Sequence, residues 1–195
     1  MKKLFLLILI VSNTTIYSQT EKGKIVISGG TGVQFISSNL KYLYEGVTEE
    51  KLKTNSFTLL PSVGYFIIDN LAIGLAGNIT STSNKYDDGD KAVSTSILLF
   101  PVAIYYIPVD GDIKPIVQVG AGIASMTQKY TDEDKNSAFG FGFNFGAGIA
   151  YFVKENIALN IGLSYTLASL KDVDDENGKI KEGNLGANLG FSIFF

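Results

Sequence analysis

"FGFGFNFGAGIAY", residues 139–151, alternates without a fault. Phe139, Phe141, Phe143, Phe145, Ala147, Ile149 and Tyr151 fall on one side of a period of two, and Gly140, Gly142, Asn144, Gly146, Gly148 and Ala150 on the other. A helix groups its residues every 3.6 positions and a strand every 2, so this stretch is a strand. Its two faces are unusual: one is large and apolar, the other small and uncharged. A water-soluble sheet turns charge outward on the face away from its core, and here neither face carries any.

The same test extends outward along the chain. Ile157, Leu159, Ile161, Leu163, Tyr165 and Leu167 alternate with Ala158, Asn160, Gly162, Ser164, Thr166 and Ala168. The pattern predicts eight strands over residues 24–37, 56–67, 71–82, 93–107, 113–128, 138–152, 157–168 and 183–195. Each is long for a soluble strand and suits the roughly 9–11 residues that cross a bilayer at a tilt. Three connections are short (68–70, 108–112 and 153–156). Four are long (38–55, 83–92, 129–137 and 169–182), and they hold 10 lysines and 14 acids, most of the chain's charge. Short turns at one end and long polar loops at the other describe a membrane-spanning barrel. The dipeptides Asp88-Gly89 and Asn177-Gly178 suit tight hairpins that carry the outer strands beyond the membrane.

The glycine-rich face then lines the interior, where an eight-stranded barrel has room only for side chains. Small residues there leave space for Leu60, Phe66, Phe100, Val102, Ile104 and Tyr106. The expected fold is all-β: a closed, eight-stranded, antiparallel up-and-down transmembrane β-barrel. The competing architecture is a secreted, soluble, lipocalin-like ligand-binding barrel, which reverses the faces. Pro61 and Pro101 each remove a ladder donor at matching places in strands two and four, which predicts paired local bulges.

Residues 1–18 open with Lys2 and Lys3, continue with eight apolar residues (4–11) and end on Ser18. This is the layout of a cleaved signal peptide, and the apolar run is too short for a membrane helix. The expected division is a signal peptide over 1–18 and one barrel domain over 19–195. Without Lys2 and Lys3, 14 lysines face 19 acids, and the chain has no arginine. That balance excludes a nucleic-acid binder. There is no cysteine and no histidine, so disulfides, thiolate chemistry and the histidine-assisted serine mechanism are unavailable. The acidic clusters Asp87-Asp88-Asp90, Asp132-Glu133-Asp134 and Asp172-Asp174-Asp175-Glu176 lack the spacing of a calcium loop and read as solvated loop tips. No catalytic residue, metal site or cofactor is expected, and the protein is not read as an enzyme.

An internal repeat marks one end of the barrel. "YFIIDNLAIGL" (65–75) aligns with "YFVKENIALNI" (151–161), matching Tyr65/Tyr151, Phe66/Phe152, Asn70/Asn156 and Ala72/Ala158. Tyr105-Tyr106 and Phe194-Phe195 occupy the corresponding places on strands four and eight. The series Tyr65, Tyr105, Tyr151 and Phe195 reads as an aromatic girdle at the periplasmic interface. The segments 59–79, 98–108 and 148–165 resemble the small outer-membrane β-barrel family of Gram-negative bacteria, of the porin-family or OmpA–OmpX-like eight-stranded kind and most like the Bacteroidota type. The resemblance has an arginine before the Tyr-Tyr pair, where this chain has Ile104. It places the protein in the bacterial outer membrane, with both termini periplasmic and outer-membrane lipid and the insertion machinery as partners. Phe191, Ile193 and Phe195 then look like the assembly signal read by that machinery, and no peptidoglycan-binding domain is expected after the last strand.

The functional reading is a structural or surface-interaction role carried by long charged extracellular loops, with a surface ligand undefined by sequence. The alternative is a narrow porin-like channel for small solutes, which an interior without a charged ring does not favour.

Overall fold

In the computed structural model, residues 19–37, 53–85, 91–129, 136–172 and 179–195 are described. The expected signal peptide, and the acidic clusters except for Asp172 and its backbone, lie outside them. Nine strand segments follow in order: β1 (Ile25–Ser37), β2 (Lys53–Leu59), β3 (Ser62–Ile68), β4 (Leu71–Lys85), β5 (Lys91–Tyr106), β6 (Ile113–Lys129), β7 (Asn136–Lys154), β8 (Ile157–Asp172) and β9 (Lys179–Phe194). Among the described residues there is no helix. All pairings are antiparallel, and β1 pairs with β9 over twelve residues, from Val26↔Phe194 to Ser37↔Gly183. The sheet therefore has no open edge.

β2 and β3 are one strand interrupted at Leu60-Pro61, so the barrel has eight staves. The interruption is not the expected bulge. Thr31↔Leu59 and Ser28↔Ser62 share one register against β1, as do Leu59↔Ile79 and Ser62↔Ala76 against β4. Pro61 loses its donor, yet its carbonyl still accepts from the Gly77 amide at 2.9 Å. Pro101 behaves alike: pairing to β6 resumes in register from Leu99↔Ile123 to Val102↔Gly120. Both prolines delete a bond without inserting a residue. The real register shifts lie at the turns, between Phe66 and Ile68 and between Phe152 and Lys154. The sequence repeat is thus a structural repeat, a bulge closing the same short turn twice. Several strands also outrun their expected ends: β4 reaches Lys85 and β9 begins at Lys179.

The faces separate as the alternation requires. Phe139, Phe141, Phe143 and Phe145 are exposed on the outside, as are Leu159, Ile161 and Leu163. Phe66, Phe100, Val102, Ile104 and Tyr106 are buried inside, with alanines from β4, β7 and β8. This polarity is that of a barrel dissolved in lipid and rules out the soluble alternative. The interior packs by pairing large with absent side chains. At Gly120 an added Cβ would fall onto the Phe100 ring and within 2.7 Å of the Pro101 carbonyl oxygen. Gly120→Ala is expected to cost about 1–3 kcal/mol by overpacking. At Gly77 the nearest atom, Pro61 Cγ, is an ordinary 3.4 Å away, so Gly77→Ala should be nearly neutral. Urea midpoints of the two variants refolded in lipid vesicles check the contrast.

Candidate functional site

The aromatic pairs at the short-turn end divide between the two faces. Tyr65, Tyr105, Tyr151 and Phe195 are exposed on the outside. Their neighbours Phe66, Tyr106, Phe152 and Phe194 are buried inside and meet one another. Phe66 lies 5.6 Å from Tyr106 and 6.2 Å from Phe194, centroid to centroid. Phe194 lies 5.8 Å from Tyr106 and 5.1 Å from Phe152. These are the offset and tilted separations that aromatic quadrupoles favour. The four rings pack together inside the barrel at this end.

Their backbones are held by one repeated device. The amides of Phe66, Tyr106, Phe152 and Phe194 donate to the carbonyls of Lys24, Asn70, Asp112 and Asn156, at 2.9, 2.9, 2.7 and 2.9 Å. Each acceptor immediately precedes a strand. Asn70 sits at φ +66°, a conformation asparagine tolerates better than most residues. Residues 19–24 complete this end as a strap. The fully buried Thr20 donates its hydroxyl to Asn70 Oδ1 at 2.5 Å, and the Asn70 amide donates to the Thr20 carbonyl at 2.7 Å. Lys114, at the start of β6, is also buried, only 8% exposed, on the same inward phase as Gln118 and Gly120.

Above the rings lies a chamber of about 130 Å³. Phe100, Ile104 and Ile116 form one wall, and amides and hydroxyls from β6 to β9 form the other. Gln118 Nε2 donates to Asn144 Oδ1 at 3.0 Å, and Asn144 Nδ2 to Thr166 Oγ1 at 2.9 Å. Asn188 Nδ2 donates to Ser164 Oγ at 2.8 Å. Ser192 is a hub: Asn160 Nδ2 donates to its Oγ at 2.6 Å, Ser28 Oγ lies 2.7 Å away, and the Tyr106 hydroxyl also bonds it. Asn160 Oδ1 is buried without a protein donor. The lining is more apolar than polar, with the amides and hydroxyls gathered on one wall. Among the described residues no carboxylate or ammonium lines it, so its lining offers no full charge to select an ion.

The expected assembly residues fall on the closing strand. Phe191 and Phe195 are exposed and Ile193 is half-buried. Phe195 exchanges both backbone bonds with Ile25, at 2.9 and 3.1 Å. The ring cluster was only partly visible in sequence: Phe66 and Tyr106 were assigned inward, while Phe152 and Phe194 were not. The signal was present, since each stands beside a girdle residue and must face the other way.

A model of the family described as "Outer membrane protein beta-barrel domain" matches residues 4–192. No curated protein matches significantly. Among solved structures, OprG of Pseudomonas aeruginosa is 19% identical with a TM-score of 0.51, covering 91% of this chain and 98% of its own. Neisserial surface protein A is 18% identical with a TM-score of 0.53, covering 88% and 97%. The attachment invasion locus protein Ail of Yersinia pestis, solved with the heparin analogue sucrose octasulfate, is 15% identical with a TM-score of 0.56, covering 89% and 99%. At these identities the likeness is one of fold. Taken with the family match over nearly the whole length and the lipid-facing apolar surface, it identifies the chain as a member of the outer membrane protein β-barrel domain family, a barrel of the bacterial outer membrane.

Proposed function

We propose that the protein is a non-conducting, non-enzymatic barrel whose task is performed at its long-loop end. The barrel anchors charged loops at the cell surface for envelope integrity or for contact with a surface ligand. Both termini and the short turns face the periplasm, and Tyr65, Tyr105, Tyr151 and Phe195 form the girdle at that interface. The observation that carries this reading is the cluster of four buried rings packed together inside the barrel at the short-turn end. The charge of the connections lies at the other end. Replacing residues 38–52, 130–135 and 173–178 by short turns should abolish surface binding or weaken the envelope. Unchanged phenotypes in a properly inserted variant would sink the proposal.

The channel reading requires those rings to leave the lumen. Planar-bilayer recordings of the purified, folded protein are expected to show no unitary conductance steps. The Phe152→Ala/Phe194→Ala variant, which empties half of the cluster, should show small ones. Steps in the unmodified protein would favour the channel.

The last strand supports a role in assembly. Phe195 adds one bonded pair to a closure already twelve residues long, and each such bond is worth only about 1 kcal/mol. Deleting Phe195 should therefore leave refolding in detergent intact, read as a heat-sensitive gel shift. Insertion into the outer membrane in cells should slow markedly, because the insertion machinery reads the aromatic end. Normal insertion of the deletion would remove that role.

A further inference from the structure

On the outer face of β7, β8 and β9, large and small apolar residues are set out in a pattern that fits itself. Ala147 of β7, Leu163 of β8 and Ala187 of β9 stand in one register row. Leu163 is 59% exposed, and the surface dips on both sides of it, over the two alanines. The dips belong to one apolar furrow of about 710 Å³, which also runs past Ile149, Ile161 and Leu189. At its borders Phe145 and Leu189 project outward, 48% and 57% exposed.

The closure of the barrel decides which residues share a level in the membrane. Followed from pair to pair through Tyr65, Ala103, Phe145 and Leu185, the row that leaves β1 at Ile25 returns to β1 at Phe35, ten residues nearer the long-loop end. Ten residues over eight staves make a strand tilt of about 40°. Each step from stave to stave toward β9 therefore moves the level position about 1.25 residues from the register, toward the short turns. From β7 to β9 the offset is about 2.5 residues. Phe145 is in register with Leu185 through Tyr165, so it is level with Ala187. By the same offset Ala147 is level with Leu189. At both levels one flank of β8 is large where the other is small.

We propose that this face binds a second copy of the chain, about a twofold axis parallel to the membrane normal that passes beside Leu163. Such an axis keeps both copies in the same orientation in the membrane and brings β7 of one against β9 of the other at equal height. Phe145 of each copy then enters the hollow over the partner's Ala187, and Leu189 enters the hollow over the partner's Ala147. An acyl chain fits the furrow as well, but hydrocarbon is as apolar as these side chains, so burial as such favours neither occupant. Order separates them. A side chain already held by a strand loses less freedom in a fixed hollow than a lipid tail does, and close packing of large against small is what joins proteins within a bilayer. The contact uses neither the loops nor the lumen, so it stands apart from the function proposed above.

The test is energy transfer between copies of the full chain refolded in phosphatidylcholine vesicles. The chain has no cysteine, so donor and acceptor dyes go on Asp110→Cys, an exposed position in a short turn. Transfer above the level of random proximity is expected, falling as the protein is diluted with lipid. Phe145→Ala removes the projecting ring and Ala187→Phe fills the hollow, and each should weaken association on the order of tenfold. The double variant Phe145→Ala/Ala187→Phe exchanges ring and hollow and should restore most of it. Leu75→Ala is the control. Leu75 is 53% exposed on β4, on the opposite side of the barrel, and its loss should change nothing. Transfer at the random level without any of these changes would overturn the dimer and leave the furrow to lipid. Undiminished association in both single variants, or a double variant no better than the weaker single one, would overturn the pairing of Phe145 with Ala187. So would an equal loss in Leu75→Ala. A heat-sensitive gel shift confirms that each variant is folded.

Discussion

Hydrocarbon supplies no hydrogen-bond partner, and an unpaired backbone group within it costs several kcal/mol. The pairing of β1 with β9 is therefore the condition on which the rest of the structure depends. Once closure is required with eight staves, the interior is narrow, and the residues facing it must be small or must take turns being large. The interior follows that rule: Phe100 is accommodated where Gly120 has no side chain, and Phe66, Tyr106, Phe152 and Phe194 share the space that Ala72, Ala150 and Ala158 leave. Even the prolines obey the constraint. A bulge at Pro61 or Pro101 would have propagated a register change to neighbouring staves, whereas losing a single donor leaves the closure intact.

The two ends of the barrel are built on different physics. At the short-turn end, each aromatic pair does two things at once because alternation forces its members to opposite faces. One ring meets lipid and the other packs inside the barrel, while the inward residue's amide is fixed to the carbonyl preceding a strand. Thr20 and Asn70 lock the strap across the same end. At the other end the strands run on into charged connections, where lysines oppose lysines. One end is organised by packing, and at the other the ladder sets like charges opposite each other.

The strand count, the direction of each face, the closed antiparallel order and the short-turn repeat were legible in the sequence, because each rests on a period of two read over more than ten residues. Phe139 to Phe145 alone fix which face meets lipid. What was not legible depends on three-dimensional placement. The prolines suggested bulges because a missing donor and an inserted residue leave the same trace in a sequence. The hub at Ser192 joins residues as far apart as Ser28 and Ser192, and only the register brings them together.

That register is itself a problem for this sequence. Glycine-rich strands specify pairing weakly, since a slip by one residue meets little steric resistance. The polar lumen supplies the missing specification. Gln118 stands opposite Gly146, Asn160 opposite Gly190, Ser164 opposite Gly186 and Asn188 opposite Gly162. On one flanking strand each of these side chains faces a glycine, and the space lets the amides reach diagonally to a partner two residues away: Gln118 to Asn144, Asn160 to Ser192, Asn188 to Ser164. A one-residue slip would break these bonds and turn the amides toward lipid, where a polar group without a partner is costly. The glycines and the amides are therefore one device. The first make the narrow barrel possible and the second make its pairing unique.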